Sequence, residues 1–469
     1  MKEYSANDTS LSFTHSCDVL VVGGGLGGVS AAVAAARAGA KTILLERNTC
    51  LGGVATAGSC CSIFNCFYTD DHRLMVNGIP FELTNYMAEH AGGPGLSWQN
   101  HRGHVIYDIE LGKLALLEFV VAAGVTPILG ATLADVLVED GEVRGVLYVG
   151  RNGIEAIAAK RIVDATGDSD AAVLAGAPTK QNYSRASYCF RVGNVDMDKF
   201  VQYFADHPEE YPHHIDIDWT LEDALAQYRE NGTFLFPHHG GNYMSIVKQA
   251  LEDGRLPYDM ARTTELSAMQ MHGIRKTGTI HFITGFFTPE SLDAAEMSTW
   301  ILEGKRMAVL VTDFLRDNFP GFENCFLCST AENVGVRTSR YIDGEFVYTR
   351  DMLVESHRFP DAIGRVLNSW KIRHESVTGL GSYAVLGQDY SDVPLRALLP
   401  RCPEGLIMGA GRSISAKSPS ILREMVNTMV VGQGAGITAA VSAADGTPLA
   451  RTDYTKIRAE LVRQKVYDE

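Results

Sequence analysis

The sequence predicts an α/β protein, and three observations lead to that class. An apolar strand that begins near Asp18 runs into a glycine-rich turn at residues 23–28 and then into an alanine-rich helix. A second apolar strand follows and ends at Glu46. Further along, short apolar runs separated by Asp-Gly and Asn-Gly turns indicate an antiparallel meander. Because strand, helix and strand in this order form a βαβ unit, the fold is expected to centre on a parallel sheet.

The glycines of this unit have separate expected tasks. Gly23 permits the tight turn, Gly25 lets a pyrophosphate approach the backbone, and Gly28 allows the helix to pack closely on the strand. Free N–H groups at the helix N-terminus attract phosphate. Glu46 can accept hydrogen bonds from ribose hydroxyls and would repel a 2′-phosphate. The pattern predicts a bound adenine dinucleotide; the alternative is a buried helix rich in alanine and glycine that holds no ligand.

Composition and charge narrow the class of protein further. The chain has 469 residues, of which 46% are hydrophobic and 21% charged, as expected for a globular protein of two or three units. The net charge of −15 excludes nucleic acid as an expected partner, because phosphate binding needs basic surface. An anionic small substrate stays possible, since a few local arginines suffice to bind it.

Residues 19–36 are nearly apolar, yet they are not expected to cross a membrane. Glycines crowd their first half, and a polar leader precedes them. That leader lacks the basic start and the cleavage site of a secretion signal. The nine cysteines then indicate reduced thiols, and we expect a cytoplasmic location.

The pattern along the chain predicts five segments. They are a polar leader at 1–16, the first part of a nucleotide-binding domain at 17–180, a cap or substrate domain at 181–334, a connecting segment shared by both domains at 335–400, and the second part of the nucleotide-binding domain at 401–469.

Apolar periodicity within these segments predicts individual elements. Residues 48–105 are expected to be rich in loops, and helices are expected at 108–123, 291–318 and 420–444. The chain is expected to return to the nucleotide with an apolar strand at 161–164. The meander strands are predicted at 126–129, 131–139, 143–149 and 154–158.

Several motifs, taken in order, carry a resemblance to a known family. They are Glu46-Arg47, Leu51-Gly52-Gly53 with Thr56, Asp164-Ala-Thr166-Gly167-Asp168, Phe319-Pro-Gly-Phe322-Glu, Gly335-Val-Arg337-Thr-Ser-Arg340, Gly411-Arg412-Ser-Ile-Ser415, Arg423-Glu-Met and Gly432-Gln-Gly-Ala-Gly436. Together they resemble the FAD-dependent oxidoreductase family, a relative of the glutathione-reductase and the succinate dehydrogenase/fumarate reductase flavoproteins. The resemblance covers nearly the whole chain.

This resemblance implies a fold, a cofactor and a set of cofactor ligands. The fold would be a glutathione-reductase-type, Rossmann-like FAD-binding domain with an inserted β-meander and a central cap domain. Thr166, Gly167 and Asp168 would contact the pyrophosphate and ribityl region, and Arg412 would stabilise negative charge at the flavin N1/C2=O edge. The full expected set of FAD-binding residues is Gly23, Gly25, Leu26, Gly27, Gly28, Glu46, Arg47, Gly52, Gly53, Thr56, Thr166, Gly167, Asp168, Gly411 and Arg412.

Two departures from the relatives affect the expected chemistry. No second strand–G-x-G-x-x-G–helix unit is visible, and the glycines at 432–436 lie in a helix pattern where they would permit close packing. A dedicated nicotinamide domain is therefore not expected. No counterpart of the histidine that tethers FAD in succinate dehydrogenases is evident either, so we expect non-covalent FAD.

Other chemically capable residues are weaker signals. Cys325 and Cys328 form a C-x-x-C pair that is expected to be structural; a redox pair and a metal site are the alternatives. Three histidine pairs, His101/His104, His213/His214 and His238/His239, are expected at the surface or in the cap, and no metal site is predicted.

The catalytic candidates are Arg275, Arg337, His272 and His281. An arginine can clamp a carboxylate with two hydrogen bonds, and a histidine can move the proton that accompanies hydride transfer. Arg340 and Lys276 lie in the same two sequence segments. A salt-bridged domain interface is the alternative for each of them.

The expected function is an FAD-dependent oxidoreductase that transfers a hydride between a small organic substrate and flavin N5. A flavin monooxygenase, a redox-neutral flavoenzyme and an electron-transfer subunit that acts on a protein partner are the alternatives. The sequence leaves open the substrate, the direction of transfer, the electron donor or acceptor, and the oligomeric state.

Overall fold

The structure is a computed structural model. It describes residues 13–69, 71–184, 186–211, 219–236, 244–256, 270–367, 389–417 and 419–468. The predicted histidine pairs His213/His214 and His238/His239 lie outside the described residues.

A seven-stranded sheet forms the larger part of the molecule. Strands β1, β2 and β5 pair in parallel, β1 also pairs in parallel with residues 156–164 of β8, and β19 pairs in parallel with residues 162–164 of β8. The carboxyl ends of β1, β8 and β19 therefore lie together at one edge. The strands are β1 (Phe13–Val22), β2 (Thr42–Glu46), β5 (Thr126–Leu129), β6 (Thr132–Glu139), β7 (Glu142–Gly150), β8 (Gly153–Asp164) and β19 (Leu406–Met408).

The meander differs from its prediction at two places. The run at 126–129 pairs with β2 in parallel and is part of the nucleotide-type sheet. The runs predicted at 154–158 and 161–164 are one strand, β8. Along one edge its residues 153–158 pair with β7 antiparallel and its residues 162–164 pair with β19 in parallel, while β1 pairs in parallel with residues 156–164 along the other edge. Lys160 is exposed on β8 without interrupting it, so a polar residue that suggested a break marks only a change of partner.

Strand β1 begins earlier than the leader was expected to end. Residues 13–16 already belong to it, and His15 and Ser16 pair with Ile157 and Ala158 of β8. These polar residues are exposed, and the ladder rather than burial places them in the strand.

Helices cover the parallel sheet. The expected helix at 108–123 is present, and Asp108 caps it by accepting from the N–H groups of Glu110 and Leu111 at 2.9 and 3.1 Å. Residues 48–105 contain one helix that was not expected, α2. These helices are α1 (Leu26–Arg37), α2 (Ile79–His90), α3 (Ile109–Ala122), α4 (Asp170–Leu174), α10 (Met425–Asp445) and α11 (Tyr454–Arg463).

Helices α1 and α10 pack so closely that their backbones touch. A Cβ at Gly432 would lie 2.0 Å from the Gly27 carbonyl oxygen, and one at Gly436 would lie 2.1 Å from that of Ala31. The expectation that the glycines of 432–436 permit close packing is confirmed. The first helix of the glycine-rich unit is thereby fixed by the last long helix of the chain.

A second, six-stranded sheet is antiparallel throughout and is called the cap sheet here. Its order is β11-β12-β13-β10-β14, with β15 also pairing with β10. The cap-sheet strands and the helices that accompany them are β10 (Ala186–Gly193), β11 (Thr233–Phe236), β12 (Gln270–Ile274), β13 (Thr279–Phe287), β14 (Phe326–Thr330), β15 (Gly335–Val336), α5 (Met197–Asp206), α6 (Leu221–Asn231), α7 (Ser245–Glu252) and α8 (Ala294–Asn318).

The two faces of the cap sheet differ in chemistry. One face packs its aromatic residues, such as Phe190 and Phe282, on α5 and α8 in a second hydrophobic core. Because side chains alternate along a strand, Cys189, Arg191 and His281 point the other way. That inner face meets the segment between Cys60 and Asp108, which belongs to the nucleotide-binding side of the chain.

Short elements complete the described chain. They are β3 (Ser62–Ile63), β4 (Val105–Ile106), β9 (Thr179–Gln181), β16 (Arg340–Ile342), α9 (Arg350–Val354), β17 (Ala362–Val366) and β18 (Ser391–Pro394). The predicted domain boundaries stay predictions. Within the described residues, no helix combines the length and apolar character needed to cross a membrane.

Candidate functional site

The carboxyl ends of three strands meet at one edge, which is called the cofactor edge here. Gly23 ends β1 and donates to the Leu45 carbonyl at 2.8 Å. Ala165 follows β8 and donates to Val22 O at 2.8 Å, while Gly409 follows β19 and donates to Asp164 O at 2.7 Å. Ligands of open α/β sheets bind outside such carboxyl ends.

The three glycines of the first turn differ in what surrounds them. Gly23 has a φ of +100°, and a Cβ there would lie 2.5 Å from Ala165 O. A Cβ at Gly28 would lie 1.8 Å from Gly23 O. At Gly25, by contrast, a Cβ would meet no atom within 4 Å. Gly23 and Gly28 are needed by the fold, whereas Gly25 leaves open space in front of the N-terminus of α1.

The first turn of α1 and a second glycine loop border this space. Leu26, the first residue of α1, is buried, and Gly27 lies against Gly409 O. Gly52 donates to Gly24 O at 2.7 Å, and Gly53 would bring a Cβ to 3.1 Å from the Gly25 Cα. The Thr56 hydroxyl donates to the Leu51 carbonyl and holds the loop in this position.

The Glu46 carboxylate is buried and already engaged by the chain. Its Oε2 accepts from Gly24 N–H at 2.5 Å, and its Oε1 accepts from the backbone N–H and side-chain amide of Asn48 at 2.7 and 2.6 Å. Glu46 thus fixes the conformation of the glycine turn, a task that the sequence pattern did not reveal. Arg47, next to it, is exposed.

The turn after β8 is organised by a buried aspartate. Asp164 Oδ1 accepts from Thr166 N–H and Oγ1 at 3.0 and 2.7 Å, and its Oδ2 accepts from Ala172 N–H at 2.9 Å. Burial raises the pKa of Asp164 despite these bonds. Burial together with Asp168 and Asp164 also raises the pKa of Asp170, to about 6.

Arg412 joins the turn after β19 to the turn after β8. Its Nη2 lies 3.0 Å from Asp168 Oδ1, and its Nη1 donates to the Val336 carbonyl. Gly167 has a φ of +85°, and a Cβ there would lie 2.7 Å from Nη2 of Arg412. Gly411, the residue before Arg412, packs against the Leu422 carbonyl oxygen. The Arg412 guanidinium is bonded to Asp168 and Val336 of the protein itself, so direct stabilisation of flavin charge by Arg412 stays a prediction.

The segment at 335–342 connects the cap sheet with the cofactor edge. Its first part, β15, pairs with β10. Ser339 Oγ donates to Asp168 Oδ1 at 2.5 Å, and Arg340 Nε donates to Asp168 O at 3.0 Å while its Nη2 bonds Asp170. Arg340 is thus a structural ion-pair residue.

Arg337 is half-buried in this connecting segment. Its charge acts on the thiols of Cys60 and Cys189, where it opposes the burial that raises the pKa of both cysteines. Cys60 follows the Gly52–Gly53 loop and donates from its N–H to Val54 O at 3.0 Å. Arg337 therefore has the cofactor side of the chain among its surroundings, as does His272, whose ring centroid lies 6.3 Å from that of Phe64.

Arg275 does not lie in a buried substrate site, and that expectation is corrected. It belongs to the turn between β12 and β13, its side chain is 52% exposed, and its Nη2 lies 2.9 Å from Asp198 Oδ2. Its guanidinium also lies over the Tyr228 ring, 5.4 Å from the centroid. The exposed ion pair with Asp198 accounts for the presence of the Arg275 charge at this turn. Lys276, the next residue, is exposed as well.

His272 and His281 face each other across the β12–β13 ladder and are fully buried. Burial and the neighbouring Arg191 charge lower the pKa of His281 to about 3, so this imidazole is neutral. A group with that pKa is a poor proton carrier near neutral pH. The predicted proton relay therefore has no support from the electrostatics of His281.

Nothing in the sequence singles out Arg191. His101 and His104 are predicted at the surface or in the cap, and the structure excludes the surface. Both histidines are buried, and His101 Nε2 shares a hydrogen bond of 2.6 Å with Thr233 Oγ1 of β11. They lie below the cap sheet and not at the surface. The contact between His101 and Thr233 is seen only in the three-dimensional structure, because the two residues are far apart in sequence.

The cysteines are free thiols. Cys325, just before β14, is buried, and Cys328, within β14, is exposed. Among the residues that the structure describes, no group of three or more histidine, cysteine and acidic side chains could hold a metal ion.

The glycine turn, the N-terminus of α1 and the open space at the cofactor edge are features of a dinucleotide-binding α/β fold, which an antiparallel cap sheet accompanies here. The chain belongs to the FAD dependent oxidoreductase family, whose model matches residues 18–461. FAD is its cofactor, and the expected class of enzyme is confirmed.

Three solved structures are similar to this chain at low identity. A geranylgeranyl bacteriochlorophyll reductase-like protein from Thermoplasma acidophilum is 14% identical, over 96% of this chain and 84% of that one, with a TM-score of 0.41. An L-proline dehydrogenase from P. horikoshii is 12% identical, over 95% and 98%, with a TM-score of 0.41. A p-nitrophenol 4-monooxygenase from Pseudomonas putida is 11% identical, over 97% and 91%, with a TM-score of 0.42.

At this level of similarity the three structures carry no inference about the substrate. No curated protein sequence matches the chain.

Proposed function

We propose that this enzyme transfers a hydride between a small organic substrate and FAD. When bound, the flavin ring supplies the hydride acceptor or donor, and the protein supplies binding, orientation and electrostatics. We further propose that the cofactor edge holds the dinucleotide. Gly25 leaves the space for the pyrophosphate, the α1 N-terminus offers N–H groups, and Gly52 and Gly53 border the same space.

One observation supports a small organic molecule, and not a nicotinamide, as the partner in hydride transfer. Among the described residues there is a single parallel sheet with a glycine turn at its carboxyl edge, and the other large sheet is antiparallel. A second dinucleotide site of the disulfide-reductase kind would need another βαβ unit. The described chain therefore favours an organic substrate over a nicotinamide as the hydride partner.

The substrate is proposed to lie between the inner face of the cap sheet and the segment after the Gly52–Gly53 loop. The Tyr107 hydroxyl, which lies 2.8 Å from Ala55 O and 2.9 Å from Cys60 O, fixes that segment. Cys189 of the cap sheet packs directly on Cys60. Arg337, beside both thiols, favours an anionic substrate or the negative charge that develops at a reacting carbon–oxygen or carbon–nitrogen bond.

The test is reduction of the purified holoenzyme under argon, followed by visible absorbance. Hydroxy acids, amino acids and amines would be screened as donors against the oxidised enzyme. Enones and quinones would be screened against the photoreduced enzyme. We expect at least one class to change the flavin redox state at a rate that saturates with concentration. Turnover without any net change in flavin redox state or need for an acceptor would contradict hydride transfer and favour a redox-neutral reaction.

A further inference from the structure

The inner face of the cap sheet buries two side chains with nitrogen atoms that have no hydrogen-bond partner among the described residues. Arg191 of β10 is 8% exposed, and its Nε has no hydrogen-bond partner among the described residues. His281 of β13 is 0% exposed, and neither of its ring nitrogens has a partner there. The two residues are directly opposite each other in the β10–β13 register. Side chains of such a pair lie side by side on one face of the sheet.

Burying polar groups without partners is costly. Each buried donor or acceptor left unpaired lowers the stability of the folded state, and an unpaired charged group lowers it more. Native proteins rarely keep such groups unless a ligand, an ion or water completes them. Two of them side by side therefore mark a place where a ligand, an ion or water would complete the hydrogen bonds.

The acidic residues near Arg191 do not use up its hydrogen-bonding capacity. Asp108 Oδ2 lies 3.7 Å from Nη1, and Glu110 Oε1 lies 3.8 Å from Nη2, both too long for hydrogen bonds. Asp108 is held in place by its other oxygen, which caps α3. These carboxylates lessen the cost of burying the positive charge while leaving the donors of the guanidinium fork unpaired.

The location connects this pair with the cofactor side of the molecule. Cys189 lies two residues before Arg191 on the same face of β10, a separation of about 7 Å along the strand. Cys189 contacts Cys60, which is hydrogen-bonded to the turn after Gly53. A small molecule held by Arg191 could thus extend along the inner face toward the cofactor edge.

We propose that Arg191 and His281 form the site that binds the carboxylate of a small organic acid, which is the substrate class of this enzyme. The inference rests on the proposed hydride transfer and adds the group by which the substrate is held. The guanidinium donates two parallel hydrogen bonds to a carboxylate. The neutral imidazole of His281 adds one N–H donor. Arg191 offers only hydrogen-bond donors, so a group made of acceptors, such as a carboxylate, fits it better than a cation or a donor group does.

Calorimetric titration of the FAD-loaded enzyme tests this site without knowledge of the substrate. Benzoate and propionate are the probes, and benzamide and propionamide are their uncharged counterparts. We expect the carboxylates to bind and the amides to bind at least about tenfold more weakly, because a charge-assisted pair is lost. Arg191→Met should weaken benzoate binding about tenfold or more, with the FAD content unchanged. Arg275→Met, which removes the exposed arginine, should bind benzoate as the parent enzyme does.

Two further variants keep the test decisive if Arg191→Met does not fold. Arg191→Lys retains the charge without the fork, and His281→Leu removes the imidazole donor; both should weaken benzoate binding. His281→Gln, which retains an N–H donor, should recover part of it. Equal affinity for acid and amide, no binding of either carboxylate, or unchanged affinity in the Arg191 variants would overturn the carboxylate site. Flavin reduction by an uncharged substrate alone would also overturn it and would leave hydride transfer intact. Carboxylate binding without any substrate that changes the flavin redox state would support the carboxylate site and contradict the proposed hydride transfer.

Discussion

At the residue scale, Gly25 separates cofactor binding from folding. A methyl group there meets no protein atom within 4 Å, and the backbone φ of −63° is open to alanine. Gly25→Ala should leave the thermal stability of the apoprotein unchanged. It should weaken FAD binding by about 1–3 kcal/mol, because the methyl group fills space needed by the pyrophosphate. Flavin fluorescence on reconstitution of the apoprotein measures this affinity.

Gly28→Ala is the matched comparison for that variant. Its methyl group would lie 1.8 Å from Gly23 O, so the strand and helix must separate and the apoprotein itself should lose stability. If Gly25→Ala destabilised the apoprotein as strongly as Gly28→Ala, the open space at Gly25 would not be a cofactor site.

Glu46 should matter for FAD even though its carboxylate is bonded to the chain. Glu46→Ala removes the acceptor of the Gly24 and Asn48 N–H groups, and the glycine turn loses its support. FAD binding should weaken by roughly 1–3 kcal/mol, the scale for polar groups left unpaired. Equilibrium dialysis with FAD provides the measurement. Glu118→Ala, at an exposed position of α3, should bind FAD normally.

Arg337 should act on the substrate and not on the cofactor. Arg337→Ala is expected to lower kcat/KM about ten- to a thousandfold, corresponding to about 1.5–4 kcal/mol for charge-assisted bonds. The FAD content should stay that of the parent enzyme, and Arg275→Ala should have normal kinetics because its charge is paired at the surface. Loss of flavin from Arg337→Ala would instead assign this arginine to the cofactor or the fold.

The sequence predicts residues well where a local backbone shape dictates them. Gly23 and Gly28 follow from the turn and from helix packing, both of which involve neighbours within one βαβ unit. The position of Arg275 could not be predicted, because its partner Asp198 is distant in sequence and lies on α5. Arg191 could not be predicted either, because only the strand register shows that His281 is its neighbour.

At the scale of elements, the contact of α1 with α10 fixes the cofactor edge. Gly436→Val would place a branched side chain where a Cβ already lies 2.1 Å from Ala31 O. We expect the unfolding midpoint in urea to fall, with a loss of about 1–3 kcal/mol or more from overpacking. Ala444→Val, at an exposed position of the same helix, lowers helix propensity, whereas Gly436→Val raises it, and should still cost less than about 0.7 kcal/mol. Similar losses in both variants would contradict backbone contact as the cause.

Elements were predictable where apolar spacing is regular and separate. The helices at 109–122 and 294–318 were found within a few residues of their ends. Strand β8 was divided in two because its pattern changes where, along one edge, it exchanges the antiparallel partner β7 for the parallel partner β19. The residues themselves do not encode which strand lies alongside, so this change of partner resembles a break in the strand.

For the whole molecule, the single parallel sheet leads to a prediction about electron donors. NADH and NADPH should reduce the flavin slowly, because the described residues offer one glycine turn at a parallel edge and the cap sheet is antiparallel. Stopped-flow mixing under argon measures the rate, and photoreduction of the same sample shows that the flavin can be reduced. Reduction by either nucleotide at a rate that supports turnover would contradict this prediction and favour a monooxygenase or reductase.

The cofactor edge also has a consequence for how the protein is made. It is assembled from Gly23 near the start of the chain, Thr166 in the middle and Arg412 near the end. About 390 residues separate the first from the last, and a ribosome adding roughly 5–20 residues per second needs about 20–80 s to cover them. FAD is therefore expected to be captured tightly only after Arg412 has been synthesised, and a nascent chain released before that point would leave the ribosome colourless.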